Sequence, residues 1–329
     1  MMATVARDAI EQLWGSATPM LASGPPDPIV PPAGAQWSFE VKWDGVRALA
    51  SVRPGSPVRL RSRRGTDLAG RYPGIVAEPV GAALAPLVGP AILDGECVAL
   101  VEGRPSFPGA LRGGESVRFV CFDVLAWQGR DVCGLPLADR RALLAGIDLA
   151  HVTGDAWRSS PVFADGAALM VATAEQGLEG VVAKRSGSAY RPGVRSDDWV
   201  KLPHLRTTSL VVVGWVRPSA GTGIGSLVLA DSRRALVGSV GSGMTDRVSS
   251  ALLPVLADIG RPEPDPALVI APDRAGWLRH FDDRLHWVQP ALVVDVRHLG
   301  RSEVGVLRQP VLDRLRPDLD VAVVVGGPW

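Results

Sequence analysis

The apolar and polar positions fall into two textures along the chain. Up to Pro203, strand-like and helical patterns take turns; beyond it, short strands dominate. Residues 1–37 hold Pro25, Pro26, Pro28, Pro31 and Pro32 close together, and predict a short helix over 5–14 followed by an irregular lead-in. Residues 38–52 and 57–63 predict strands separated by a Pro-Gly turn at 54 and 55. A helix is predicted over 72–87, a strand over 90–101 and a largely apolar strand over 117–127. Helical periodicity returns over 137–147 and again over 165–176, where Asp165 is suited to cap the first turn. Strands follow near 179–184 and 197–202.

After Pro203 the predicted strands are 208–216, 225–231, 234–240 and 286–297, with a further segment near 304–308 and one helix at 245–258. Many short strands with one inserted helix predict a small β-barrel. The reading is therefore an α+β chain of two domains, 1–204 and 205–329, with the boundary near 204–207 and no internal repeat. A length of 329 residues fits two domains, and 47% apolar content is ample for packed cores. Cys97, Cys121 and Cys133 lack zinc spacing and a disulfide pattern; they read as free thiols of a reducing cytoplasm. Arg7, Asp8 and Glu11 break up the N-terminus, and no run approaches the length of a membrane span. The expectation is a soluble cytoplasmic protein without a membrane partner.

Charge adds local detail to a chain whose formal net charge is only +1. Lys42, Arg47, Arg53, Arg59, Arg61, Arg63, Arg64 and Arg71 stand against Asp44 and Asp67 alone. Lys184, Arg185, Arg191, Arg195, Lys201 and Arg206 stand against Asp197 and Asp198. These stretches fit a one-sided anion-binding face or an ordinary solvated arginine surface, and composition does not separate the two. The lysines say more. Of 35 lysines and arginines, only Lys42, Lys184 and Lys201 are lysine, which leaves 32 arginines. Guanidinium keeps its proton in proteins and cannot serve as a nucleophile. Where such a chain keeps a lysine, an amine or a compact ammonium is called for.

Lys42 opens Lys-x-Asp-Gly-x-Arg, a pattern that recurs by chance at roughly one in 10⁵ per position. Alone it also fits a surface lysine before an Asp-Gly turn. An amine that attacks phosphorus must be neutral, and nearby cations or a divalent metal would both lower its pKa and hold a phosphate. Asp94-Gly95-Glu96 and Glu179-Gly180 lie on separate apolar strands, and the two glutamates could share a magnesium or act as ordinary turn acids. Arg61-Ser62-Arg63-Arg64-Gly65 suits phosphate contacts or a solvated hairpin end. Phe122 suits base stacking or core packing.

Taken in order, these pieces resemble the motifs of the covalent nucleotidyltransferases. They are Lys42–Arg47 (motif I), Ser62–Gly65 (Ia), Asp94–Glu96 (III), Phe122–Leu125 (IIIa), Glu179–Lys184 (IV), Trp199–Lys201 (V), and Leu307–Pro310 with Arg314–Asp318 (VI). Tyr190–Ser196 is a further local match. The chain is most similar to short bacterial ATP-dependent DNA ligases and to the ligase module of bacterial end-joining ligases, from about Pro19 to Asp318. The resemblance implies an adenylation domain of mixed and antiparallel sheets followed by an OB-fold. It implies sealing of 5′-phosphate/3′-hydroxyl nicks through a lysyl-AMP on Lys42, in DNA repair or end joining.

The resemblance also assigns roles. Glu40 would read the adenine edge and Phe122 would stack on it. Glu96 would meet the ribose or a metal, and Glu179 the metal. Arg47 and Arg63 would lie on the nucleotide and the DNA 5′-phosphate side. Lys184 and Lys201 would neutralise the α-phosphate, and Arg308, Arg316 and Asp318 belong to the second domain. ATP, magnesium or manganese, nicked duplex DNA, end-joining or repair proteins and a monomeric state are implied. RNA ligation, capping-type transfer, or binding of nicked DNA without catalysis are the alternatives. Two positions depart from the family pattern: Pro203 and Leu319 stand where lysines facing phosphate oxygens are usual.

Overall fold

The computed structural model describes residues 10–25, 28–101, 103–302 and 304–329. Residues 5–9 of the predicted first helix lie outside these; a helix is present over 10–16. The chain divides into two units, Met1–His204 and Leu205–Trp329.

Two large sheets and a two-stranded ribbon, Leu100–Val101 with Arg104–Pro105, make up the strands of the first unit. One runs in the order Leu21–Ser23, Arg195–Pro203, Gly180–Arg185, Trp37–Val41, Val162–Phe163. Its first pair is parallel and the others antiparallel. The other runs Trp157–Ser159, Arg118–Trp127, Ala91–Val98, Val46–Arg53, Ser56–Ser62, again parallel only in its first pair. Alternation along the strands sorts side chains to either face. Ala48 and Ala50 join Leu93, Phe119 and Trp157 in one core, while Leu49 turns the other way to meet Ile92, Phe122, Leu125 and Trp199. Phe39, Val181, Ala183 and Leu202 pack against Leu169 of the helix Gly166–Glu175. Asp165 caps that helix as predicted, its Oδ1 accepting from Ala168 N at 2.9 Å.

Three predicted elements are corrected. The strand over 38–52 is two strands in two sheets, Trp37–Val41 and Val46–Arg53, joined by residues 42–45. Gly45 makes this crossing possible, because a Cβ there would run into Cys97 O and the Glu96 side chain. The helix over 72–87 is Pro73–Val76 and Glu78–Val88, broken at Ala77. Pro79 has no N–H to continue a helix and is tolerated only in the first turn of a new one. The segment 304–308 is a turn bearing a single bridge, Arg301 to Leu307. The strand lies further on, at Val311–Leu315, beyond Pro310.

In the second unit an antiparallel sheet runs Leu236–Val240, Ser226–Ala230, Arg206–Val216, Leu285–His298, Gly260–Arg261, and Val311–Leu315 also pairs with Leu285–His298. The 14-residue strand Leu285–His298 serves as a partner on both sides. The strand pattern predicts a barrel, but among the described residues the ladder stays open, with Leu236–Val240 paired to a single neighbouring strand. The helix Asp246–Asp258 is capped by Thr245 and buries Leu252 and Leu256 on the sheet. Pro272–Arg279 and Val321–Val325 are short helices that the apolar pattern did not predict. Among the described residues no helix is long and apolar enough to cross a membrane.

Candidate active site

The two large sheets of the first unit flank a cleft of about 190 Å³. Its lining includes Glu40, Lys42, Arg47, Arg63, Glu96, Phe122, Lys184 and Lys201. The same period-two alternation that builds the cores delivers these side chains. Phe39, Val181, Ala183 and Leu202 point to the helix side; Glu40, Val182, Lys184, Trp199 and Lys201 point to the cleft. Across it, Glu96 and Arg47 are register partners on neighbouring strands.

Lys42 stands at the crossing between the sheets. Its backbone N–H donates to Gly180 O at 2.9 Å and its ammonium pairs with Glu179. The Lys42 side chain is 20% exposed and that of Glu179 5%. The next residue, Trp43, donates its indole N–H to Ser160 Oγ at 3.1 Å and so ties down the crossing. Gly180 must be glycine: its φ is +145° and a Cβ would collide with Leu202 O. The turn it permits sets Glu179 beside Lys42.

Lys201 is half-buried, and burial together with the charges of Lys42 and Arg195 depresses its pKa. Lys184 is not with this group. It is 3% exposed and donates to Glu40 Oε1 at 2.8 Å. Its ammonium lies 4.4 Å from the ring centroids of both Phe122 and Trp199. Burial lowers its pKa, opposed by the charge of Glu40. Glu96 is pushed up to about 8 by burial, against the pull of Arg47 and Lys42 and with a further push from Glu179 and Asp94. Phe122 is 7% exposed, and packs in the core while also lining the cleft.

Arg47 makes a two-pronged pair with the fully buried Asp94, at 2.6 and 2.7 Å, and its guanidinium lies 4.4 Å from the Phe122 centroid. Burial opposes that charge, but Asp94 outweighs it and the pKa is raised. Arg63 is exposed at the rim, just past the strand Ser56–Ser62.

In the second unit, Arg308 exchanges backbone hydrogen bonds with Leu299 and Gly300. Arg316 is held by Asp318 at 2.7 and 2.9 Å and by Asp295 at 3.0 Å. Hydrogen bonds from Arg316 hold the Asp318 carboxyl down to about 2. Leu319, where a lysine is usual, packs with Val324, Val325 and Trp329 on an apolar cluster. Pro203 is buried opposite Gly180 in the strand pairing.

Sequence reasoning gave no role to Trp43, Asp94, Tyr190 or Trp199, although all four lie inside the quoted motifs. Asp94 carried a signal: an acid followed by Gly in an apolar strand must be paired once buried.

The profile described as "ATP dependent DNA ligase domain" matches residues 19–202, and that described as "ATP dependent DNA ligase C terminal region" matches 220–319. The multifunctional non-homologous end joining DNA repair protein LigD of Mycobacterium tuberculosis is 36% identical over 302 residues, covering 88% of this chain and 37% of the relative. DNA ligase C1 of Mycolicibacterium smegmatis is 35% identical over 238 residues, 65% of each protein. The chain therefore spans little more than a third of the length of the mycobacterial and Pseudomonas end-joining relatives, and half that of the Bacillus subtilis one. The crystal structure of the ligase domain from M. tuberculosis LigD is 35% identical, with a TM-score of 0.52, covering 94% of this chain and 98% of that one. A mycobacterial DNA ligase D complexed with ATP and MES is 36% identical, with a TM-score of 0.51 and the same coverage. The open ladder of the second unit thus belongs to an OB-fold domain following a nucleotidyltransferase domain, and the chain is a member of the ATP-dependent DNA ligase family.

Proposed function

We propose that this chain seals 5′-phosphate/3′-hydroxyl nicks in duplex DNA, with Lys42 as the nucleophile. The carrying observation is the pairing of Lys42 with Glu179 in a cleft that also presents Lys201, Arg47 and Glu96. Glu179, the partner of the Lys42 ammonium, would take the proton that Lys42 must lose. The Lys42 nitrogen then bonds to the α-phosphorus of ATP while the bond to pyrophosphate breaks. AMP passes to the DNA 5′-phosphate, and the 3′-hydroxyl displaces it. Such transfers depend on in-line geometry and charge neutralisation rather than on covalent help beyond the lysine.

Within the cleft, Lys201 is suited to the α-phosphate because it shares the surroundings of Lys42. Lys184 and Glu40 are suited to the base. Adenine offers an amine donor beside a ring-nitrogen acceptor, and a carboxylate with an ammonium complements that pair. Phe122 would lie against the ring.

The donor set fits a divalent cation: Glu96 and Glu179 are hard oxygen ligands, and Glu96 resists ionising without added positive charge. Among the described residues no cluster of three or more His, Cys, Asp or Glu side chains could hold a metal, so bound phosphate oxygens would complete the shell. When bound, the cation would neutralise phosphate charge. A role in end joining, with partner proteins, follows from the relatives' names and is proposed on that ground.

Incubation with labelled ATP and magnesium or manganese tests the reading. Wild-type protein should form a covalent adduct and seal nicked DNA. Lys42→Arg keeps the charge but loses the nucleophile, and should form no adduct. Sealing by Lys42→Arg of DNA that is not already adenylylated would exclude the mechanism.

A further inference from the structure

Behind Arg47 lies a buried network whose other members the proposed chemistry does not use. Asp94 is fully buried and accepts both prongs of Arg47. Tyr190 is 2% exposed and donates its hydroxyl hydrogen to Asp94 Oδ2 at 2.6 Å. The same hydroxyl oxygen accepts from Met20 N at 2.9 Å. Met20 O in turn accepts from Arg47 Nη2 at 3.3 Å. Met20 leads directly into the strand Leu21–Ser23, and Leu21 and Ala22 line the cleft. One phenol thus joins the carboxylate that aims Arg47 to the backbone that forms a cleft wall.

We infer that Tyr190 is a positioning residue of the nucleotide site, fixing Arg47 through Asp94 and the Leu21–Ala22 wall through Met20. This rests on the ligase reading and on the nucleotide-side role that the family resemblance implies for Arg47. Two physical points support it. Burial and the charge of Asp94 raise the Tyr190 pKa, so the hydroxyl stays protonated and remains a donor. A carboxylate held by three donors leaves its arginine partner one orientation, with the guanidinium over the Phe122 ring. Without the hydroxyl, Met20 N–H would lose its partner and Asp94 one of its donors, while the edge contact between the Tyr190 and Trp199 rings would remain.

Tyr190→Phe removes the oxygen and keeps that ring contact. Single-turnover self-adenylylation across a range of ATP concentrations should show the half-saturating ATP concentration raised roughly tenfold, the cost of a hydrogen bond to a charged group. The rate at saturating ATP should stay within about threefold, because Lys42 and Glu179 are untouched. Combining Tyr190→Phe with Arg47→Lys should add little to Arg47→Lys alone, since both changes act on one interaction. An unchanged ATP dependence overturns the inference. So does an additive effect in the double variant, or a loss shared by saturated and unsaturated rates that follows a fall in melting temperature. Wild-type adduct formation separates the two levels: no wild-type adduct sinks the ligase reading and this inference with it, whereas an adduct with no shift in Tyr190→Phe sinks this inference alone.

Discussion

Glu96 lines the cleft, and burial holds its carboxyl back from ionising. Its folded-state pKa, about 8, lies above the ordinary 4.5 because burial disfavours the charge. A carboxyl shifted upward contributes stability that is complete below its unfolded pKa and is lost as pH rises through the folded value. In EDTA, the wild-type melting temperature should therefore fall, relative to Glu96→Gln, from about pH 5 to about pH 9. Magnesium should restore more at the alkaline end, because it binds the ionised form. Parallel profiles for the two proteins would count against this assignment. At this scale the sequence was most informative for the lysines: with arginine nearly everywhere, all three lie on the cleft. It said nothing of their partners. That Lys184 joins Glu40 while Lys42 joins Glu179 depends on strands far apart in the chain.

Strand alternation is the device that turns sequence into site. Within Gly180–Arg185, alternate residues serve the core and the cleft, so a slip of one residue would bury the wrong set. Gly180→Ala attacks this directly, since neither its φ nor its space admits a Cβ. It should cost at least about 1 kcal/mol of stability and also weaken ATP use, because Glu179 precedes the glycine and Lys184 shares its strand. Asp165→Ala is the contrast. Loss of a helix cap should cost about 1 kcal/mol and leave ATP dependence unchanged. Thermal melts paired with adenylylation titrations would check both, and equal ATP dependence in the two variants would refute the distinction. Most strands were legible from alternation and apolar runs. The crossing at 42–45 was not, because strand-like residues continue on either side of it and the close approach of Gly45 to Cys97, which leaves no room for a Cβ, is a tertiary contact.

For the molecule as a whole, a formal charge of +1 hides an uneven distribution. Many of the arginines in the basic stretches are already engaged: Arg59 on Glu11, Arg47 on Asp94, Arg185 and Arg191 on Asp198. Arg63 and Arg64 remain exposed at the cleft rim and beside it. If they meet DNA phosphates, binding of nicked duplex should weaken steeply with salt. Replacing both by alanine should lower the slope of log K against log salt by about two. A slope equal to that of the wild type would remove them from the DNA face. Composition left an anion-binding face and a solvated surface equally open; the ion pairs narrow the choice to particular side chains.

The sequence by itself determined which residue types carry the chemistry, because an amine, a carboxylate and a glycine cannot stand in for one another. It also determined most strands, since period-two alternation is a local property of the chain. Only the tertiary structure decided which charges share a pocket, where the strand breaks over Lys42, and that the second unit's ladder stays open. Those outcomes depend on close approach between segments distant in sequence, where a missing Cβ or a buried hydroxyl matters and no local pattern records it.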